Sequence, residues 1–455
     1  MSHRRILPAA LLVLILTDHP PASAVQEASP QREVRLDPAA IQSLRAQIDA
    51  MKAEYEKRIK ELEAQVEELQ AQMLRALPEQ EPVAAQPTVG AAQTSPGAMN
   101  PAIAVVGNFL ARADNQKVYS EEGERIDNKL NMREAEIDMR VAVDPYADGV
   151  LITAIGSDVP GRYSLDIEEG YVNIKRLPFM DHSPLGLKLK VGRFRPAFGK
   201  TNILHTHDLP QSFRPLPNQE FMGEEGFIQS GVSGNFFVPT PWDKKSSMDA
   251  TLQMLTGGDV AISPDPNSRN AYLGHLRWYR TVKDAHDFEL GWSTYYHPQG
   301  NGVAEADFHG VDFTYRWKPL RQGESRSFII GSELMFARRP YPEAAGSPDA
   351  GPSVTGLEPA SGKPFGYTVF GQWQLDRRKY AGVRWDRTDV LYDPSLKRRS
   401  VTPYFSYYFS EFLRFRLNYE HRWSDLESEN RRDSVFAELN WIFGSHPPEP
   451  FWVNK

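Results

Sequence analysis

The residues with the most chemical potential lie between Pro196 and Glu225. Lys200, His205, His207, Asp208, Arg214, Glu220, Glu224 and Glu225 fall in this one stretch, which is far too long for an idle connection. Fixed charges of both signs gathered there suit a filter for ions or polar solutes, because a low-dielectric constriction magnifies each of them. A surface cap with solvated charges is the blander alternative. His205-Thr206-His207-Asp208 also offers the donor types of a zinc site, two imidazoles and a carboxylate. A two-residue spacing does not by itself make those side chains converge, so no metal ligand is assigned and no cofactor is expected. Lys188, Lys190, Arg414 and Arg416 form a second group of candidates, on strand faces that also carry Glu134, Glu136 and Asp138. The sign of any ion preference stays open on these residues. No Gly-x-Ser-x-Gly, phosphate-binding glycine loop or His-Glu-x-x-His occurs, so no enzyme is expected.

The elements that must position these residues have a period of two. In Met132 to Val143, Ala135, Ile137, Met139, Val141 and Val143 share one face, and Glu134, Glu136, Asp138 and Arg140 share the other. Leu187, Leu189 and Val191 oppose Lys188 and Lys190 in the same way. Leu413, Phe415, Leu417 and Tyr419 oppose Arg414, Arg416, Asn418 and Glu420. Charge on every second position of a long strand means that one face meets water. Candidate strands lie near 103–112, 132–143, 149–157, 165–176, 185–195, 226–238, 247–256, 270–282, 286–297, 307–318, 326–338, 363–375, 379–389, 399–409, 412–424 and 433–444. Their connections alternate long and short, as in bacterial outer-membrane barrels. The expected fold is all-β, a 16-stranded antiparallel transmembrane β-barrel over 102–455. Trp278, Tyr279, Tyr295, Tyr296, Trp317, Trp373, Tyr407, Tyr408, Trp423 and Trp441 sit near strand ends and are expected in two interfacial girdles.

Three segments precede the barrel. Residues 1–24 read as a signal peptide, with Arg4 and Arg5, the apolar run Leu7 to Leu16, and Ala22-Ser23-Ala24 as a cleavage site. Residues 25–78 read as a periplasmic coiled coil. Its seam is Ile41, Leu44, Ile48, Met51, Tyr55, Ile59, Leu62, Val66, Leu69 and Met73, spaced by threes and fours with one stutter. Residues 79–101 are a Pro- and Ala-rich linker. The chain has no cysteine, which removes thiol metal sites, disulfides and a lipoprotein anchor. Its formal net charge of −7 argues against nucleic acid as a partner.

Gly192-Arg193-Phe194-Arg195-Pro196-Ala197-Phe198-Gly199-Lys200, with Leu204-His205-Thr206-His207-Asp208, Arg214-Pro215 and Gly223-Glu224-Glu225-Gly226, resembles a family of bacterial outer-membrane porins. That family is related to the phosphate-selective porins O and P and often carries an N-terminal periplasmic coiled coil. The resemblance implies a trimeric channel embedded in outer-membrane lipid and passing small hydrophilic solutes or ions. It also implies that the third long loop folds into the barrel and narrows it. Phosphate specificity is not implied, since no arginine and lysine ladder matches residue by residue. A structural anchor, whose coiled coil ties the membrane to peptidoglycan, is the alternative, and a metal or siderophore receptor ranks last. The family usually ends on an aromatic at the close of its last strand. Here Ser445 to Lys455 follow Phe443, with Phe451 and Trp452 near the end, which leaves that strand's boundary open.

Overall fold

The computed structural model describes residues 102–453 with breaks, the longest at 339–362. Ahead of residue 102 it describes only Glu54 and Lys57, both helical and exposed. The signal-peptide, coiled-coil and linker expectations otherwise fall outside the described residues.

Sixteen antiparallel strands close on themselves, each paired with its sequence neighbours and β1 with β16. They are β1(Ala102–Asp114), β2(Leu130–Asp144), β3(Ala147–Gly156), β4(Ser164–Ile174), β5(Lys188–Phe194), β6(Gln229–Val238), β7(Ser246–Leu255) and β8(Ala271–Val282). The ring continues with β9(His286–His297), β10(Ala306–Trp317), β11(Ser327–Arg338), β12(Phe365–Asp376), β13(Lys379–Asp389), β14(Lys397–Ser410), β15(Leu413–Ser424) and β16(Arg431–Gly444). The closing seam runs from Ala104 opposite Gly444 to Asp114 opposite Ser434. Closure leaves no strand edge unpaired, which is the condition for a sheet to lie in lipid.

The alternation in the sequence becomes an inside-out burial pattern. On β15, Arg414, Arg416, Asn418 and Glu420 are buried, whereas Leu417 and Tyr419 are exposed. On β16, Ser434, Glu438 and Asn440 are buried, whereas Val435, Leu439 and Phe443 are exposed. A water-soluble barrel would show the reverse.

Three sequence expectations need correction. Strand β5 starts at Lys188, because Pro184–Gly186 form a 3-10 turn in which Leu185 has φ +51°. The long-short alternation of connections breaks twice, since 175–187 is longer than 157–163 and 318–326 is longer than 298–305. Tyr295 and Tyr408 point inward and are buried, so they leave the girdle, while Tyr296 and Trp373 stay on the outer face. The last strand ends at Gly444, and the chain beyond it brings Phe451 to Val453 inside the ring. Trp452 and Val453 pack there with Ile329, Tyr380 and Tyr408.

Candidate functional site

The connection from β5 to β6 (195–228) lies within the ring of strands. Its path follows from two kinds of residue. The aromatic ones, Phe198, Phe221 and Phe227, are fully buried with Met222 against Leu273, Tyr295, Phe308 and Met335 of the wall. Phe198 stacks on Phe308 with ring centroids 3.9 Å apart. Gly310 makes this possible, for a Cβ there would stand 2.6 Å from the Phe198 ring. Burying each such ring contributes about 1.5–3 kcal/mol, so one half of the segment is a small hydrophobic core held to one wall.

The other half is polar and reaches the remaining walls. Glu333 of β11 accepts from the backbone of Lys200 at 2.8 Å and of Thr201 at 2.6 Å. A short helix, α1(Leu216–Met222), has Pro217 in its first turn, where a missing N–H costs nothing, and stops at Gly223 with φ +103°. Asn218 of this helix donates to Glu333 at 3.1 Å, and the Leu216 N–H donates to Asp386 of β13 at 3.3 Å. Glu220 pairs with Arg398 of β14. Arg384 of β13 donates to the Phe213 carbonyl at 2.7 Å. Arg414 and Arg416 of β15 donate to the carbonyls of His207 and Leu209.

The candidates named from sequence therefore part company. Lys188 is exposed at the first residue of β5, and Lys190 lies over the Tyr171 ring at 4.2 Å. Lys200 pairs with Glu289 at 2.9 Å. Arg214 is fully buried, with its guanidinium turned into the segment, donating to the carbonyls of Thr201 at 2.8 Å and Leu204 at 2.6 Å. Burial, then repulsion from Arg195, pushes Arg214 down to about 9. There it holds the segment's turn. Glu224 is exposed. Arg414 and Arg416 face inward as a buried scaffold with Glu438.

His205 and His207 do converge, with their rings 5.6 Å apart, and the groups they meet are glutamates of the wall. His205 Nδ1 is 3.0 Å from Glu136 Oε2 and 2.8 Å from Glu168 Oε2, and its Nε2 donates to Glu169 at 2.9 Å. His207 Nδ1 is 3.6 Å from both Glu134 Oε2 and Glu136 Oε2, and its Nε2 is 3.6 Å from Asp208. Burial alone would lower both imidazoles, but Glu136 and the other carboxylates outweigh it. They hold His205 well above its ordinary value and bring His207 up to about 9.

Sequence reasoning placed Glu134, Glu136 and Asp138 on the inner face but missed Glu168, Glu169, Glu333, Arg384, Asp386 and Glu438. Arg384 and Asp386, two apart on β13, carried the same alternating signal as Glu134 and Glu136. Glu168 and Glu169 are adjacent and both buried, because β4 slips register against β3 between Ile152 and Thr153. A bulge of that kind admits an extra residue, and nothing in the sequence marks it.

Gly226 supplies a local test. Its φ is +73°, and a Cβ there would stand 2.7 Å from Asn202 Oδ1 and 3.1 Å from Arg214 Cζ. Gly226→Ala is expected to unseat the end of the segment at a cost of about 1–3 kcal/mol. Faster proteolytic nicking between 200 and 226, with the strands still protected, would show it. An unchanged digestion pattern would mean that the turn is not held as described.

No family model matches the chain. A protein of Aquifex aeolicus (strain VF5), described only as uncharacterized, is 25% identical over 346 residues, covering 71% of this chain and 70% of its own. Among solved structures, the outer membrane channel DcaP of Acinetobacter baumannii shares 10% identity over 76% of this chain and 97% of its own, with a TM-score of 0.49. The anion-selective porin from Comamonas acidovorans shares 8% over 76% and 99%, with a TM-score of 0.47. OmpF of Salmonella typhi shares 11% over 75% and 97%, also at 0.47. Likeness at this level assigns no residue a role, so any role must come from the barrel's own geometry.

Proposed function

We propose that this chain is a porin-like channel of a bacterial outer membrane, passing small hydrophilic solutes or ions, with the segment 195–228 as its constriction. One observation carries the reading. A closed ring of strands with aliphatic and aromatic residues outside and charged residues inside encloses a segment anchored to opposite walls, at Glu333 of β11 and Glu169 of β4. Apolar outside and polar inside is the arrangement that lipid and a hydrated lumen together select. Among the described residues no helix is long and apolar enough to cross a membrane. A trimer in outer-membrane lipid, tethered by the coiled coil of 25–78 beneath the membrane, belongs to the same proposal.

A second reading has its own support. Inward groups such as Asp386, Ser400, Arg416 and Glu438 are 0–1% exposed, so at their level the interior is packed, not wet. A sealed barrel serving as an anchor, with the coiled coil reaching peptidoglycan, fits that packing. Planar-bilayer conductance of the purified protein separates the two. Small discrete steps, in groups of three for a trimer, are expected for the channel, and the reversal potential in a salt gradient gives its ion preference. A folded protein that inserts and carries no current would overturn the channel reading in favour of the anchor.

A further inference from the structure

We propose that Glu134, Glu136, His205 and His207 form a binding site for one divalent transition-metal ion of the zinc class, joining the inserted segment to β2. The four side chains come from two elements far apart in sequence, and all are more than nine-tenths buried. Their facing atoms, Glu134 Oε2, Glu136 Oε2, His205 Nδ1 and His207 Nδ1, are each buried without a hydrogen-bond partner. Leaving a buried polar atom unsatisfied costs about 1–3 kcal/mol, and four in one place call for an explanation.

An ion-pair cluster is the competing explanation, and the geometry speaks against it. The Nδ1 atoms stand 3.0 to 3.6 Å from Glu136 Oε2, that of His205 2.8 Å from Glu168 Oε2 and that of His207 3.6 Å from Glu134 Oε2, yet neither is aligned to make a hydrogen bond. Ligands about 2.0–2.2 Å from a tetrahedral zinc ion lie about 3.4 Å apart from each other. The three distances to Glu134 and Glu136 are close to that, whereas His205 falls in a different group of three from Glu134 and His207 and has to draw in when an ion binds. Glu136 Oε2 is common to the two groups Glu134–Glu136–His207 and Glu136–Glu168–His205, each with its donor atoms within 4.8 Å of one another. Glu168 is not counted as a ligand, because its Oε2 accepts from Arg195 at 2.6 Å.

The surroundings complete the pattern. Glu169 takes the Nε2 proton of His205 at 2.9 Å, which leaves Nδ1 as the nitrogen free to bind. A carboxylate behind a ligating histidine is the usual support of such a site. Two imidazoles and two carboxylates suit zinc and its neighbours better than calcium or magnesium, which prefer oxygen alone. Asp208, with a side chain 30% exposed beside His207, marks the side from which an ion would enter.

The test uses the full-length protein, folded in detergent and stripped with a chelator, titrated with Zn²⁺ by calorimetry and with Co²⁺ by visible absorption. One saturable equivalent per chain is expected, with cobalt bands in the visible. Glu136→Gln and His207→Ala should abolish saturable binding, and Glu169→Gln should weaken it by about 10–100-fold. Each variant is scored only if it keeps the heat-modifiable gel mobility of the folded barrel. Should His207→Ala fail to fold, the isosteric Glu136→Gln decides. No saturable binding by the parent protein, or full binding by folded Glu136→Gln, would overturn the site and leave a cluster of ion pairs. Because the readout is metal alone, a barrel that carries no current can still pass this test.

Discussion

Removing residues 203–225 and joining Asn202 directly to Gly226 is expected to raise the single-channel conductance several-fold. The junction is feasible because the two ends already touch. Asn202 accepts from the Phe227 N–H at 2.9 Å and donates to the Phe227 carbonyl at 3.1 Å, and no strand is shortened. The excised stretch contains the whole of α1, the His205–Asp208 turn and every carbonyl that Arg384, Arg414 and Arg416 hold. Without it, inward groups that are now buried would meet water, and a sixteen-stranded ring is wide enough to leave an aqueous passage. The comparison to make is step size for the parent and the shortened chain in the same bilayer and salt. Equal step sizes would show that current does not pass the segment, and the constriction proposal would fail with them.

Glu438→Ala is the substitution with the largest expected cost in stability, about 3–5 kcal/mol. The Glu438 carboxylate accepts from Asn108 at 3.1 Å and Arg416 at 3.3 Å, and it lies 3.5 Å from Arg133 and 3.6 Å from Arg414. Three guanidinium groups thus depend on one buried anion. Truncating it leaves their charges facing one another without water, which costs far more than the pair itself contributes. Two of the three also hold the carbonyls of His207 and Leu209, so the inserted segment should loosen along with the wall. Urea unfolding in detergent, followed by loss of the folded gel band, measures the effect. Glu438→Gln keeps the shape and one acceptor and should fall between the two. A midpoint for the alanine variant equal to that of the parent would show that the arginines find other partners, and the cluster would lose its structural importance.

The barrel was legible because its rule is local and repeated. Each strand announces itself by alternation, and all sixteen candidate strands match observed ones, with the β9 and β13 boundaries identical. What lies inside the barrel obeys no such rule. The segment 195–228 was readable as unusual from its length and charge, yet its contacts depend on strands up to β16, where Phe436 packs on Phe213. His207 and Arg414 are 207 residues apart, and no pattern within either neighbourhood points to the other. The histidines looked like a short motif without convergence because their partners stand on β2 and β4. Arg414 and Arg416 show the same limit. Alternation gave the direction of the side chains correctly, but direction alone cannot tell a groove lined with water from one already filled by backbone carbonyls.

The indole of Trp452 donates to the Asp208 carbonyl at 2.6 Å across a separation of 244 residues. In kinetic terms this contact must wait. Closing so long a stretch of chain is entropically slow, and strands β6 to β16 lie between its two ends in sequence. The tail is thus expected to dock after the β1–β16 seam has shut. A transient species with folded gel mobility but a protease-sensitive C-terminus would be its mark. Simultaneous protection of tail and seam would show instead that the two events are one.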